Sequence, residues 1–475
     1  MSDCPYGISR RELLHRASGG FGAIALAGIW SELQASESKP KAAPRDPLAP
    51  QPPHYPAKAE RVIFVYSTGG ASHVDTFDYK PQLFRDHGKT ITADSWQGKL
   101  GKFDRYLKKP QWEFRPGGRS GLMISDLFPH LRNVADELCI INSMRGDTTA
   151  HDKAALGMNT GSFTFARPSM GAWVSYGLGT ENRNLPSFVV MAPKIPYAGV
   201  QVWGADMLPA CHQGTRIIPG DEPIPNIRPQ VAAEDLQKLE LDLLGKLNRR
   251  HLTPRSADWE LDARIRSFET AFGMQHAAPE AMDIGQESAD TQRLYGIEEN
   301  SKTGFGWQCL VARRLAERGV RFIQLVDRGS SSADNWDNHD DMARHYGLAK
   351  EIDQPLAGLI TDLRRRGMLD STLVVWATEF GRTPFNNAPA ARGREHHHQA
   401  FTGWMAGGGV KGGLVYGKTD DYGISVVENK VHVHDFHATI LHLLGLNHEK
   451  LTFRSSGRDF RLTDVSGEVV KSILA

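Results

Sequence analysis

Residues 61–70 of this 475-residue chain read RVIFVYSTGG. Its apolar run, residues 62–66, is followed closely by Gly69 and Gly70. A short apolar run that ends in glycines is typical of a buried strand with a tight turn after it. Strands that are buried on both faces belong to parallel sheets covered by helices. The stretch therefore predicts the first central strand of an α/β domain.

Similar apolar runs recur along the chain and alternate with helical patterns. Further strands are predicted over residues 138–142, 188–191, 320–326 and 372–376. Residues 305–317 and 352–366 place apolar side chains at helical spacing, and Gly367 follows the second as a C-cap. This alternation predicts a mostly parallel central sheet with helices on both faces. The polar stretch 219–290 predicts a helical insertion that caps one side of the sheet.

The composition is that of a globular protein and excludes several classes. Hydrophobic residues at 40% and charged residues at 23% exclude a disordered chain and a multi-span membrane protein. Lysine and arginine number 56 against 55 acidic residues, which leaves a net charge of +1. Nothing in that balance indicates a nucleic-acid partner or an anionic membrane. We therefore expect no nucleic acid and no integral membrane span, and the oligomeric state stays open.

The first 60 residues predict an export signal and a linker. Arg10 and Arg11 precede a weakly apolar stretch, residues 20–30, which is shorter than the roughly 20 residues that span a bilayer. Paired arginines before such a stretch are typical of a twin-arginine signal, although an amphipathic start to a cytosolic protein is the alternative. Seven prolines within residues 36–60 exclude a helix or a central strand there. We predict a signal peptide over 1–35, a proline-rich linker over 36–60, one domain over 61–475, and an extracytoplasmic location, either periplasmic or secreted.

Carboxylates and histidines cluster after three of the predicted strands. His73 and Asp75 follow the first strand, Asp337 and His339 follow residues 320–326, and Glu379 follows residues 372–376. In a parallel sheet the carboxyl ends of the strands meet at one edge, where ligands bind. Oxygen and nitrogen donors of this kind suit a divalent metal. The pattern therefore predicts a metal site at that edge.

Residues 395–398, EHHH, follow the last of these strands and add His396 and His397 to the set. Imidazole ligands favour zinc, manganese or iron over calcium. The predicted cofactor is a divalent metal, with zinc, manganese and calcium as the candidate ions. The alternative interpretation is that the acidic loops are solvated surface and that the histidines form a polar low-complexity tract.

Residues 412–419, GGLVYGKT, match the phosphate-loop pattern G-x-x-x-x-G-K-[ST]. That motif needs a strand before it and a helix directly after it. Here residues 414–416 have the pattern of a strand inside the motif, and residues 420–423 have the pattern of a turn. We interpret the match as chance. The sequence also contains no G-x-S-x-G, no H-E-x-x-H and no C-x-P-x-R motif.

Several segments resemble the DUF1501 family, whose members are exported bacterial proteins that often carry twin-arginine signals. The matching segments are 69–78 (GGASHVDTFD), 336–339 (WDNH), 379–384 (EFGRTP), 393–397 (GREHH), 406–412 (AGGGVKG) and 434–441 (HDFHATIL). The resemblance runs from about residue 60 to the C-terminus. The family is similar to a distant branch of the alkaline phosphatase and sulfatase superfamily. This implies an alkaline-phosphatase-like α/β fold, one or two metals, and hydrolysis of phosphate or sulfate esters.

The chain departs from that superfamily at several positions. Residues 151–161 are similar to the segment that carries the superfamily nucleophile, but they offer His151, Asp152 and Lys153 in place of Ser, Thr or formylglycine. Where the superfamily has an Asp-His pair after a strand, this chain has Glu379 and Phe380. These departures imply a single-metal site or a site that is no longer hydrolytic.

Two functions follow from the resemblance. The first is an exported metal-dependent hydrolase of sulfate or phosphate esters on a small molecule or a polysaccharide, with Asp152, Lys153 and Arg382 as catalytic or anion-countering residues. The metal ligands would be His73, Asp75, Asp337, His339, Glu379, His396 and His397. The second is a non-catalytic extracytoplasmic binding protein that retains the fold and a structural metal. An open coordination position that faces a cleft favours the first function, and a closed shell favours the second.

Overall fold

The computed structural model describes residues 46–96, 99–225, 227, 234–255, 259–298 and 301–475. The predicted signal peptide and the first part of the predicted linker lie outside these residues. The strands are β1 Arg61–Ser67, β2 Thr90–Trp96, β3 Lys99–Leu107, β4 Phe114–Gly117, β5 Leu122–Ser125, β6 Leu138–Arg145, β7 Phe188–Met191, β8 Thr215–Ile217, β9 Phe322–Val326, β10 Thr372–Thr378, β11 Gly381–Arg382, β12 Phe385–Asn386, β13 His396–His397, β14 Phe401–Ala406, β15 Leu414–Tyr416, β16 Lys418–Thr419, β17 Val426–Glu428, β18 Val431–His432, β19 Phe453–Ser455 and β20 Arg458–Phe460. The α-helices are α1 His73–Thr76, α2 Pro81–Arg85, α3 Pro129–Asn133, α4 His151–Thr160, α5 Met170–Leu178, α6 Glu234–Leu252, α7 Trp259–Met282, α8 Ala289–Leu294, α9 Gly304–Glu317, α10 His345–Arg365 and α11 Val433–Leu443.

Strand β1 lies inside a mostly parallel central sheet. The strand order is β15-β6-β14-β10-β1-β9-β7-β8, and β18 also pairs with β6. β1 pairs in parallel with both β10 and β9, and β7 extends the parallel pairing beyond β9. β14 runs antiparallel to its two neighbours, β10 and β6. The predicted α/β class with a mostly parallel central sheet is therefore confirmed.

The predicted elements correspond closely to observed ones. The five predicted strands are β1, β6, β7, β9 and β10, and the two predicted helices are α9 and α10. Helix α10 begins at His345, seven residues before the predicted start at residue 352. The helix extends because Leu348 and Ala349 continue its buried face. Sequence periodicity missed this turn because polar residues and Gly347 interrupt it.

Both faces of the sheet are buried, as the continuous apolar run in β1 requires. Ile63 and Val65 pack into a hydrophobic cluster with residues of α9 and α10. Phe64 and Tyr66 point the other way and pack into a second cluster with residues of α5 and α11. Successive strand side chains point to opposite faces, so one strand supplies both halves of the core. This double burial fixes β1 and with it the position of the turn that follows.

The helical pattern of residues 219–290 corresponds to α6, α7 and the start of α8. Lys238–Asp262 belongs to a compact unit separate from the one formed by Pro47–Gln237 and Ala263–Ala475. The candidate site described below lies in the larger unit. Among the described residues, no helix has the length and apolar character needed to cross a bilayer.

The glycine-rich residues 412–419 are not a phosphate loop. Strand β15 lies inside the motif, and the next strand, β16, contains its lysine. A turn then follows, closed by a 3.0 Å hydrogen bond from the N–H of Gly423 to the carbonyl oxygen of Asp420. A phosphate loop needs a helix at this point, so the structure agrees with the interpretation of a chance match.

The turn after β1 brings the chain over the carboxyl edge of the sheet. Gly69 and Gly70 adopt φ angles of +113° and +79°, which side-chain-bearing residues rarely do. A Cβ atom on Gly69 would lie 2.7 Å from the backbone nitrogens of Trp336 and Asp337. A Cβ atom on Gly70 would lie 2.7 Å from the ring of Phe380. The two glycines therefore let the β1 turn contact the segments that follow β9 and β10.

We predict that Gly69→Ala destabilises the protein by about 3 kcal/mol or more, because the new methyl group combines a disfavoured φ with overlap of fixed backbone. Gly88→Ala is the matched control, since Gly88 has a φ of +82° and no atom within 4 Å of an added Cβ. Its cost should be only about 1–2 kcal/mol, from the backbone conformation alone. Urea unfolding measures both values. Equal losses would show that close approach to Trp336 and Asp337 does not constrain the turn.

Candidate metal centre

Three histidines converge on the carboxylate of Asp337 at the carboxyl edge of the sheet. His151 opens helix α4, shortly after β6, and His396 lies in β13, beyond β10. Asp337 and His339 lie in the loop between β9 and α10. Three chain segments that are far apart in sequence thus bring four side chains to one position.

Asp337 and His396 each have a donor atom close to the donor atoms of the other three side chains. Nε2 of His339 and Nε2 of His396 lie 2.8 Å and 3.1 Å from Oδ1 of Asp337, and Nε2 of His151 lies 3.3 Å from Oδ2. Nε2 of His396 also lies 3.0 Å from that of His151 and 2.9 Å from that of His339. Donors bound to one zinc ion at about 2.0–2.2 Å must lie within about twice that distance of each other. The spacing of His151, Asp337 and His396 therefore fits a single coordination sphere.

The second ring nitrogen of each histidine has its own oxygen partner. An oxygen acceptor at Nδ1 holds the proton there and leaves the lone pair of Nε2 directed into the cluster. Such outer partners fix ring orientation in metal sites. The partners are Oε1 of Glu379 at 2.8 Å for His151, Oε2 of Glu395 at 2.9 Å for His339, and the carbonyl oxygen of Thr149 at 2.8 Å for His396.

Charges in the cluster favour a cation. Burial alone would raise the pKa of Asp337, but hydrogen bonds from the histidines and the charge of Arg382 lower it below its ordinary range. Hydrogen bonds to Asp337 and Glu395 raise the pKa of His339 to about 9. Burial lowers the pKa of His396. The Asp337 carboxylate thus stays ionised and attracts either protons or a metal ion to the histidines.

Glu379, a predicted ligand, connects the cluster to β1 through its carboxylate. The side chain is buried, and Oε1 accepts both the His151 Nδ1–H and the backbone N–H of Gly69 at 2.8 Å. Oε2 accepts the hydroxyl of Tyr66 at 3.2 Å. The structure therefore places Glu379 behind His151, where it orients that ring.

Arg382 contacts Asp337, and its guanidinium group is fully buried. Nη2 donates to Oδ1 of Asp337 at 2.6 Å and to the carbonyl oxygen of Gly69. Nε donates to the carbonyl oxygen of Gly70 at 2.9 Å, and Nη1 donates to that of Arg394 at 3.3 Å. The sequence predicts that Arg382 counters a substrate anion. In the structure the guanidinium nitrogens of Arg382 donate to Asp337 and to backbone carbonyl oxygens. Arg382 therefore positions Asp337.

His73 and His397, also predicted as ligands, lie together outside the cluster. Their rings stack with centroids 5.9 Å apart. Nε2 of His73 donates to the carbonyl oxygen of Gly423 at 2.8 Å, and Nε2 of His397 donates to that of Ile424 at 2.6 Å. Burial lowers the pKa of His397 to about 4. Both rings therefore hold the turn after β16 as neutral side chains.

The remaining predicted residues also lie outside the cluster. Asp75 forms a buried ion pair of 2.6 Å with Arg394, which orders the segment that leads into β13. Oδ1 of Asp152 accepts the backbone N–H of Ala198 at 3.0 Å. Lys153 is exposed on the first turn of α4, next to the cluster in sequence. Asp75 and Asp152 thus fix loops, and Lys153 keeps an exposed ammonium group.

Aromatic rings enclose the histidines. The ring of Tyr197 stacks on His151 with centroids 4.1 Å apart and planes at 13°. Phe380 packs against both His151 and His396, with centroids 4.8 Å and 4.7 Å away. The hydroxyl of Tyr197 accepts a 3.4 Å hydrogen bond from Asn335. The rings of Tyr197 and Phe380 therefore restrict the orientation of His151 and His396.

His151 is absent from the ligands predicted from the sequence. It lies in the segment similar to the superfamily nucleophile region, where the predicted roles fall on Asp152 and Lys153. The position of His151 could have indicated this role. It begins a helix just after a predicted strand, and the other donors also follow strands. The donors of His151, Asp337 and His396 all lie within 4.8 Å of one another.

Comparisons with solved structures give distant similarities. The lipoteichoic acid synthase LtaP from Listeria monocytogenes is 10% identical, with 88% of this chain and 79% of that chain covered and a TM-score of 0.30. The PsFucS1 sulfatase from Pseudoalteromonas sp. is 13% identical, with 82% and 68% covered and a TM-score of 0.34. A protein in the alkaline phosphatase superfamily from Vibrio parahaemolyticus is 11% identical, with 88% and 75% covered and a TM-score of 0.32.

Comparison by sequence gives a clearer result. No curated protein matches the chain. The model of the family described as "Protein of unknown function (DUF1501)" matches residues 59–474, which is nearly the whole domain predicted from the sequence. The resemblance seen in the glycine, glutamate and histidine motifs is confirmed by this match. The chain belongs to the DUF1501 family.

Proposed function

We propose that this protein is a metal-dependent hydrolase of phosphate or sulfate esters. The observation that carries the proposal is the convergence of three histidine Nε2 atoms on the carboxylate of Asp337. Each imidazole has an oxygen partner at Nδ1, which is the arrangement that metal-binding histidines use. Ion pairing alone would not require three rings to present the same nitrogen to one point.

The donor set fits one divalent ion, and zinc suits it best. Three imidazole nitrogens with one carboxylate oxygen are typical zinc ligands. We propose that His151, Asp337 and His396 hold the ion, with His339 at the open side. The His339 side chain is 35% exposed, against 10–24% for the other three. A divalent metal supplies a Lewis acid that polarises an ester oxygen and makes water a better nucleophile.

Helix α4 supports an anionic substrate. His151 is its first residue, and Ala150 before it provides no side-chain cap for the first N–H groups. Uncapped N–H groups and the helix dipole favour an anion at a helix N-terminus. Lys153 adds an exposed ammonium group on the same turn. A tetrahedral phosphate or sulfate group beside the metal would contact the N–H groups at the start of α4 and the side chain of Lys153.

A non-catalytic binding protein with a structural metal is the second candidate. Nε2 of His339 lies 2.8 Å from Asp337 and 2.9 Å from Nε2 of His396, close enough to serve as a fourth ligand. Four protein ligands close a tetrahedral zinc shell and leave no position for substrate. Catalysis therefore requires that His339 leave one coordination position open.

The hydrolase proposal predicts turnover of an aryl phosphate or an aryl sulfate by the zinc-loaded protein. His396→Ala should lower kcat/KM by about 100-fold or more and remove stoichiometric zinc, because it deletes a ligand. His397→Ala is the matched control: it changes the adjacent histidine, whose Nε2 contacts the carbonyl oxygen of Ile424 instead. That variant should keep its zinc and most of its activity. Ester assays and metal analysis on the purified variants measure both effects.

The outcomes separate the two candidates. Stoichiometric zinc that depends on His396, without hydrolysis of either ester class, would support the structural metal. Full activity in His396→Ala would contradict the whole assignment of the site. Unfolding curves for both variants distinguish a lost ligand from a lost fold.

We also propose that the protein is exported by the twin-arginine pathway, on the evidence of Arg10 and Arg11 before residues 20–30. Replacing both arginines by lysine should leave the precursor in the cytoplasm, because the export receptor reads the guanidinium pair. Lys39→Arg with Lys41→Arg is the control, since it exchanges the same residue types outside the signal. Immunoblots of cell fractions follow the precursor. Normal export of the lysine variant would show that residues 1–35 are not such a signal.

A further inference from the structure

Helix α6 carries a stripe of exposed leucines. Leu239 is 66% exposed, Leu243 58%, and Leu244 and Leu247 51% each. Steps of four residues from 239 through 243 to 247 place three of them on one face of the helix. Exposed leucines are unremarkable singly, but a contiguous apolar stripe marks an interaction surface. The helix has 19 residues, so the stripe lies on an element about 28 Å long at about 1.5 Å per residue.

Among the α6 side chains that the structure describes, the exposed charges are divided between the two halves of the helix. Glu240 and Asp242 lie before Leu243, whereas Lys246, Arg249 and Arg250 lie after it, and all five are exposed. An acidic half and a basic half are complementary to each other when two such helices run in opposite directions. Two copies that run in the same direction would place like charges together, which is unfavourable.

We propose that α6 is a dimerisation surface that pairs antiparallel with α6 of a second copy of this chain. The leucines would be buried between the two helices, and each acidic half would lie along the basic half of the other copy. Such a contact is two-fold symmetric, so one surface satisfies both partners. An anionic membrane fits less well, because the interfacial helices that bind it carry lysine and arginine along the whole polar face. Here the acidic half would be repelled.

Light scattering on the eluting full-length protein tests the pairing. The wild type should have twice the 52.6 kDa mass of the chain at micromolar concentration. Leu243→Glu with Leu247→Glu should shift the mass to that of one chain, because charges replace the buried stripe. Val465→Glu is the control, since Val465 is 81% exposed and lies outside α6. That variant should stay dimeric.

Charge reversal tests the antiparallel direction. Lys246→Glu, Arg249→Glu and Arg250→Glu together give both halves of the helix a net negative charge and should dissociate the dimer. Adding Glu240→Lys and Asp242→Lys to that variant gives the first half a net positive charge opposite the acidic second half, and antiparallel pairing should return. Circular dichroism confirms that each variant keeps its helical content.

Several results would overturn the proposal. A monomeric wild type would do so, and so would a dimer that the leucine variant leaves intact. Failure of the exchanged-charge variant to re-form the dimer would contradict the antiparallel direction. A monomer that binds vesicles through these leucines would assign the stripe to a membrane surface. A monomer in which Leu243→Cys reacts with a thiol probe only after deletion of residues 1–45 would assign the stripe to that segment.

Discussion

The buried contact between Arg382 and Asp337 is the interaction on which the site depends. One guanidinium group binds Oδ1 of Asp337 and the carbonyl oxygens of Gly69 and Gly70. It therefore joins the turn after β1, the loop after β9 and the segment after β10. Removing a charge partner inside a protein leaves the other charge buried and unpaired, which costs several kcal/mol. The position of Asp337 is thus set by the fold before any ligand binds.

The histidines are arranged around this fixed carboxylate. Oε1 of Glu379 binds both Nδ1 of His151 and the backbone N–H of Gly69. The turn after β1 therefore fixes the position of a second side chain of the site. Tyr197 and Phe380 restrict the rings from the sides. Such packing keeps Nε2 of His151 and Nε2 of His396 beside the Asp337 carboxylate. It also gives Phe380 a structural role, since its ring packs against both imidazoles.

Much of the fold and part of the site could be predicted from the sequence. Apolar runs located the central strands, because strands buried on both faces are continuously hydrophobic. The same reasoning brought Asp337, His339 and His396 to one edge. The sequence could not show which of His396 and His397 faces the cluster, because side chains alternate across a strand. The orientation of β13 depends on its pairing with β11. His73 and Asp75 follow β1 as expected, but the loop directs them to Gly423 and Arg394. Nor could it predict that β14 inserts antiparallel between β10 and β6, which sets the place of β6 and of His151 beyond it.

X-ray absorption of the zinc-loaded wild-type protein shows whether the convergent imidazoles form a metal centre. We expect one tightly bound zinc per chain, with two or three imidazole nitrogens and oxygen from Asp337 at about 2.0–2.2 Å. Imidazole groups give outer-shell scattering that water does not, so the spectrum identifies the histidines. A protein that binds no stoichiometric zinc, or a zinc spectrum without imidazole scattering, would show that these side chains are not a metal centre.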